Sequence, residues 1–100
     1  MEAIECGFFV RLVYICVDGP ERSIQRVRER VARGGHDVPD RDVRRRYVRS
    51  LANAEKIVRI VQQALVLDNS GAEPVLAMEI RAGKVLSTVG PIPVWAAGLL

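Results

Sequence analysis

FFVRLVYICVDGPERS, residues 8–23, changes character halfway along. From Phe8 to Asp18 it is rich in β-branched and aromatic residues, and Arg11 is the single charge before Asp18. A run apolar on both faces predicts a strand buried on both sides, as in a parallel sheet. Asp18-Gly19-Pro20-Glu21 then signals a helix start, with proline at the first helical position and an acid at the positive end of the dipole.

Downstream, the pattern is helical. Ile24, Val27 and Val31 form a thin apolar stripe, and Arg22, Arg26, Arg30 and Arg33 share another face. Gly34-Gly35 predicts the end of this helix near Arg33, and a second helix is expected from Asp37 or Pro39, with Asp40 and Asp42 in its first turn. Its apolar positions are Tyr47, Leu51, Ala54, Val58, Val61 and Leu65, at steps of three and four, while Arg45 and Arg49 lie off that stripe. ALVLDNSG, residues 64–71, reads as a short buried strand breaking into a turn. PVLAMEIRAGKVLSTVG, residues 74–90, reads as a β-hairpin around Ala82-Gly83, and PIPVWAAGLL, residues 91–100, as a tail or short helix.

The expectation is therefore one α/β domain over 1–100: a strand at 8–18, an arginine-rich helical hairpin at 20–63, a strand and loop at 64–71, a small carboxyl-terminal β-hairpin at 74–90 and a tail at 91–100. Strands joined by a long helical crossover belong side by side and parallel. Two parallel strands cannot cover both faces of an open sheet, so the chain reads as part of a larger fold.

Of 100 residues, 49% are hydrophobic, which excludes a wholly disordered chain. The net charge of +3 hides an asymmetry: residues 20–49 hold ten arginines against five acids, and the remainder is net acidic. Positive charge confined to one segment suggests a local anionic partner. The aromatic residue among these arginines, Tyr47, falls on the apolar stripe and reads as packing, and no groove-reading motif is present, which speaks against nucleic acid. Cys6 and Cys16 lack metal-ligand spacing, so no metal site is expected, and Cys16 reads as buried filler. There is neither a leader pattern nor an apolar run of spanning length, so a cytoplasmic protein without a membrane is expected.

Arginine suits phosphate, because its planar fork donates two hydrogen bonds and keeps its charge. Ligands of open α/β sheets lie beyond the carboxyl ends of the strands, where both Asp18 and Asn69-Ser70 fall. Three strings stand out here: R-V-x-x-G-G-H-D-V-P at 30–39, R-R-x-Y-x-R-S-L-x-N at 44–53 and D-N-S-G at 68–71. Together they resemble the carboxyl-terminal half of the zeta-toxin-like P-loop kinases, the group labelled predicted ABC-type ATPases, over about Val10 to Trp95. The resemblance implies a partial P-loop kinase-like fold whose hairpin is a lid over ATP. It implies phosphate contacts from Arg30, Arg45 and Arg46, and a nucleotide-base loop at Asn69 and Ser70. His36 would sit at the lid tip, serving either a ligand contact or the turn itself.

The sequence departs from that pattern in one respect. G-x-x-x-x-G-K-[ST] is absent: Val85 follows Gly83-Lys84, and Met78 stands where the first glycine belongs. ATP and Mg²⁺ are thus expected only with a complementary P-loop-containing chain, and no catalytic residue is assigned. Two other readings stand beside this one. One is a stand-alone basic module for nucleic acid or another polyanion. The other is an oligomeric interaction protein whose self-association covers residues 9–17 and 64–67. Locally, the arginines also read as a solvated helix pair with partners such as Glu29 for Arg33, Asp68–Gly71 as plain turn chemistry, and Tyr47 and Trp95 as packing residues.

Overall fold

The computed structural model describes residues 9–100. Strand β1 is Arg11–Cys16, helix α1 Pro20–Ala32, helix α2 Asp40–Ile57, and strands β2, β3 and β4 are Gln63–Asp68, Val75–Arg81 and Lys84–Thr88. A 3-10 helix, Val94–Leu99, closes the chain. The four strands form one mixed sheet in the order β1-β2-β3-β4. β1 and β2 are parallel, with Arg11 opposite Gln63 and Cys16 opposite Asp68, and the two later pairings are antiparallel. Among the described residues no helix is long and apolar enough to cross a membrane.

The fold is thus α/β, with two helices crossing between a parallel pair. It differs from the sequence reading in three places. The β-hairpin is no appendage: β3 pairs with the second edge of β2 and widens the sheet to four strands. β1 is also shorter than residues 8–18; Phe8 lies outside the described residues, and Phe9 and Val10 precede the strand. The Val10 amide is taken by the Gln62 side chain, at 2.8 Å, rather than by a ladder carbonyl. Nor is β1 covered on both sides. Leu12, Tyr14 and Cys16 face the helical layer, whereas Val13 and Ile15 on the opposite face are 53% and 50% exposed. Both helical elements lie on one side, so apolar character on both faces of a strand here does not mean burial of both.

The third difference concerns α2. Its apolar period runs in sequence to Leu65, yet the helix ends at Ile57. Tight turns follow, with the Ile60 amide donating to Ile57 at 3.0 Å and the Val61 amide to the same carbonyl at 3.1 Å. Val61 reaches the core from this turn, while Leu65 belongs to β2. The parallel register imposes the break, because the chain must re-enter the sheet beside the start of β1, where the Gln63 amide donates to Val10.

The core lies between the sheet and the layer of α2 and the 3-10 helix. Ala54, Val58, Val61, Val66, Met78, Ile80, Trp95 and Leu99 are buried in it, with Tyr14, Tyr47 and Leu51 packed at its margin. Each fully buried Val, Ile or Met contributes about 1.5–3 kcal/mol. Trp95 stands edge-on to Tyr14, ring centres 6.2 Å apart, and its indole donates to Asp68 Oδ1 at 3.3 Å. Among the described residues no buried side-chain nitrogen or oxygen lacks a partner.

Two predictions follow from this packing. The two-residue turn between β3 and β4 places both Ala82 (φ 50°) and Gly83 (φ 76°) in the left-handed region, the geometry of a type I′ hairpin. An alanine there carries a penalty of about 1–2 kcal/mol that asparagine largely escapes. Ala82→Asn is expected to raise unfolding stability by roughly 1 kcal/mol, measured as a higher urea midpoint at unchanged slope. The second concerns the two tyrosines. Burial pushes the Tyr14 hydroxyl up to about 12, partly offset by its hydrogen bond with Ser50, and burial also raises Tyr47. A raised pKa contributes stability that is complete below the ordinary tyrosine value, about 10, and is lost as pH rises through the folded value. Absorbance at 295 nm is expected to show no tyrosine ionising near pH 10, with ionisation and loss of tertiary structure coinciding at higher pH.

Candidate anion site at the base of the helical hairpin

The hairpin is held together by one apolar seam and several ion pairs. Ile24 of α1 and Val43 of α2 are its buried residues. Arg44 grips Glu21 with both terminal nitrogens, the Nη2–Oε2 contact being 2.7 Å, and Arg28 Nη2 meets Asp40 at 2.8 Å near the tip. At the base, Arg22 bonds both oxygens of Asp18, at 2.7 and 3.0 Å. Arg26 reaches across to the Gly71 carbonyl at 3.1 Å, tying α1 to the loop after β2.

Gly34 and Gly35 end α1 for steric reasons. Gly34 has φ +94°, and a Cβ on Gly35 would lie 2.9 Å from the Arg30 carbonyl oxygen. That carbonyl accepts the Gly35 amide at 2.9 Å. The close turn fixes the backbone of Arg30.

Between the helices and the carboxyl end of β1 lies a cleft of about 340 Å³. Cys16 contributes from β1 and Val17 from just beyond it, Ser23, Val27 and Arg30 from α1, and Val43, Arg46, Tyr47 and Ser50 from α2. Tyr47 is fixed by donating to the Val17 carbonyl at 2.8 Å, and the Tyr14 and Ser50 hydroxyls lie 3.2 Å apart. A second cleft of about 370 Å³ continues along β1, sharing Tyr14, Arg46 and Ser50 and adding Leu12, Arg49, Asn53, Ala54 and Ile57. Neither lining contains a carboxylate. No ion pair among the described residues engages Arg30, Arg46 or Arg49.

Of the residues singled out in the sequence, Arg30 and Arg46 therefore meet in one cleft. Arg45 does not join them. One residue away from Arg46, it points about 100° around the helix and pairs with Asp42 at 3.3 Å. His36 is exposed in the loop between the helices and lines neither cleft. Asn69 and Ser70 lie where the parallel strands end together: the Asn69 amide donates to the Cys16 carbonyl at 2.8 Å. Ser70 is turned back on Asp68, its hydroxyl and amide both bonding Oδ1, at 2.5 and 3.1 Å. Glu29 forms no ion pair with Arg33. Arg49, which sequence reasoning left out of the site, belongs to a legible series: Arg46, Arg49, Ser50 and Asn53 are spaced to share one helix face beside the buried stripe.

Cys16 is buried, its thiol near the Val17 carbonyl at 3.6 Å; Cys6 lies outside the described residues. Among the described residues, no group of three or more His, Cys, Asp or Glu side chains is placed to hold a metal ion. What the clefts can do is neutralise an anion. Arg30 and Arg46 line the first cleft from different helices, much of its lining is apolar, and no acidic residue is part of that lining.

Elsewhere on the hairpin Asp18, Glu21, Asp40 and Asp42 are committed to arginines. The hydrogen bond from Arg22 holds Asp18 below the usual carboxylate range, and that from Arg44 does the same for Glu21. A lowered carboxylate pKa contributes stability that is present above the ordinary value, about 4, and is lost as pH falls through the folded value. Arg44→Gln is accordingly expected to return the Glu21 titration, followed by carboxyl-carbon NMR, toward the ordinary glutamate value while leaving Asp18 low. An unchanged Glu21 titration would contradict the assigned clamp.

Compared with known proteins, the chain matches no family model, no curated protein and no solved structure. The resemblance drawn from the strings at 30–39, 44–53 and 68–71 rests on those residues alone.

Proposed function

We propose that the cleft at the hairpin base binds the phosphates of a nucleotide, and that this chain is the lid-and-adenine part of a zeta-toxin-like small-molecule kinase. The observation that carries the reading is the convergence of Arg30 and Arg46 on one cleft at the carboxyl end of β1, with no carboxylate in its lining. That is where open α/β sheets take their ligands. Asn69 and Ser70, at the end of the neighbouring parallel strand, are the candidates to lie beside the base.

In this reading Arg30 and Arg46 hold the phosphate oxygens, and Arg49 extends the positive row along α2. Bound ATP would supply the transferable phosphoryl group. The sequence contains no G-x-x-x-x-G-K-[ST] loop. The backbone cradle, the Mg²⁺ ligand and the base for the acceptor hydroxyl therefore come, in this reading, from a complementary P-loop-containing chain. Without it, nucleotide binding is expected but phosphoryl transfer is not.

Titration with millimolar ATP, followed by NMR of arginine Nε and backbone amides, tests the reading. ATP is expected to shift the Arg30 and Arg46 Nε signals together with the Asn69 and Ser70 amides, and tripolyphosphate to shift only the arginines. A charge-assisted hydrogen bond is worth about 1.5–3 kcal/mol, so Arg30→Ala or Arg46→Ala should each weaken ATP roughly tenfold to a hundredfold. Arg45→Ala should have little effect. Absence of any shift in a folded sample would sink the reading. Equal response to a generic DNA duplex, with steep salt dependence, would favour the polyanion-binding module instead.

A further inference from the structure

The sheet has two edges, and they are built differently. β4, at one edge, carries Lys84, Ser87 and Thr88 and is joined through a register shift at Glu79/Ile80. Charge and irregularity are the usual means by which natural sheets blunt an edge. β1, at the other edge, has neither. Its register with β2 is unbroken from Arg11 to Cys16, it contains no proline, and Leu12, Val13, Tyr14 and Ile15 are uncharged. Its single charge does not guard the edge, because Arg11 Nε is turned across the sheet onto Gln63 Oε1 at 2.6 Å.

Beside this bare edge runs the longer cleft, between β1 and α2. Leu12, Ala54 and Ile57 give it an apolar floor, and Arg46 and Arg49 a basic rim at one end. On the opposite face of the sheet the half-exposed Val13 and Ile15 line the same edge. Among the described residues no strand pairs with this edge, and its row of backbone amides and carbonyls asks for another backbone, which a small molecule does not have. An apolar floor asks for an apolar side chain, and two arginines without a local acid ask for carboxylates.

We propose that the β1 edge is a strand-addition site for an acidic segment of another polypeptide. One face of the added strand presents a large apolar residue to Leu12 and Ile57 and carboxylates to Arg46 and Arg49. The other face places small apolar residues beside Val13 and Ile15. Charge disfavours a second copy paired through its own β1 edge: it would bring the same arginines to the junction, and the cleft lining it shares contains no carboxylate to meet them. The proposal stands independently of nucleotide binding.

The probe is an acetylated, amidated nine-residue peptide with valine at every second position and, on its other face, Thr, Glu, Leu, Glu and Thr in order. A control replaces both glutamates by lysine. In ¹⁵N NMR without nucleotide, the acidic peptide is expected to shift the amides of Leu12 to Ile15 and the Arg49 Nε, and to bind at least tenfold more tightly than the lysine peptide. Arg49→Glu, an exposed position whose substitution leaves the core intact, should reverse that preference. Equal affinity for the two peptides, or shifts confined to other regions, overturns the proposal. So does concentration-dependent protection of the β1 amides in the protein alone, with a dimer mass in sedimentation, which would make a second copy the occupant.

Discussion

The parallel register of Arg11–Cys16 against Gln63–Asp68 constrains everything else in the molecule. A parallel neighbour cannot be reached by a tight turn; the chain must leave one end of β1 and return to the other, which takes a crossover of a dozen residues or more. Here the crossover is a pair of helices. α2 returns along the sheet, where Ala54 and the capping Val58 are buried, whereas α1 packs chiefly on α2. The same register brings Cys16 and Asp68 to one end of the sheet, so the base of the hairpin and the Asn69–Ser70 turn become neighbours although some fifty residues separate them.

How firmly each part is held follows from where the burial lies. The sheet and α2 share a core of fully buried side chains, each worth about 1.5–3 kcal/mol. The joint between α1 and α2 has Ile24 and Val43 as its buried residues and is otherwise laced by exposed ion pairs. Such pairs contribute about 0–1 kcal/mol each. They set the alignment of the hairpin more than its stability. Four of its arginines, Arg22, Arg28, Arg44 and Arg45, are committed in this way to nearby carboxylates. The excess of basic over acidic residues is what leaves Arg30, Arg46 and Arg49 without such partners.

Much of this was legible in the sequence, and the parts that were not share a cause. Local signals read well: Pro20 and Glu21 start α1, Gly34-Gly35 stop it, and Ala82-Gly83 mark a hairpin. The convergence of Arg30 with Arg46 depends on how two helices dock, and no periodicity within either helix encodes it. Arg45 and Arg46 are indistinguishable as a dipeptide, but the helical rotation of about 100° per residue sends one to Asp42 and the other into the cleft. The periodicity of α2 overshot into Leu65 because Val61 and Leu65 are apolar for the sake of the turn and of β2. Both faces of β1 are apolar in composition, but burial of both would take a second layer of helices, and Val13 and Ile15 stay half-exposed.

That uncovered face bears on what kind of object this fold is. A sheet with helices on one side ordinarily alternates apolar with polar residues, and the outer face meets water. One end of the open face here obeys the rule: Arg11, Gln63, Glu79 and Arg81 form a continuous chain of side-chain hydrogen bonds across β1, β2 and β3. The other end does not, for Val13, Ile15 and Leu76 are each at least 40% exposed. The change occurs along the strands, toward the carboxyl ends of β1 and β2, where the arginine cleft also lies. Among the described residues, half-exposed apolar side chains and arginines in no ion pair thus lie toward one end of the sheet, and a connected polar network lies toward the other. In the strand-addition proposal that surface has a use, because apolar burial would supply affinity there and the charges would select the partner.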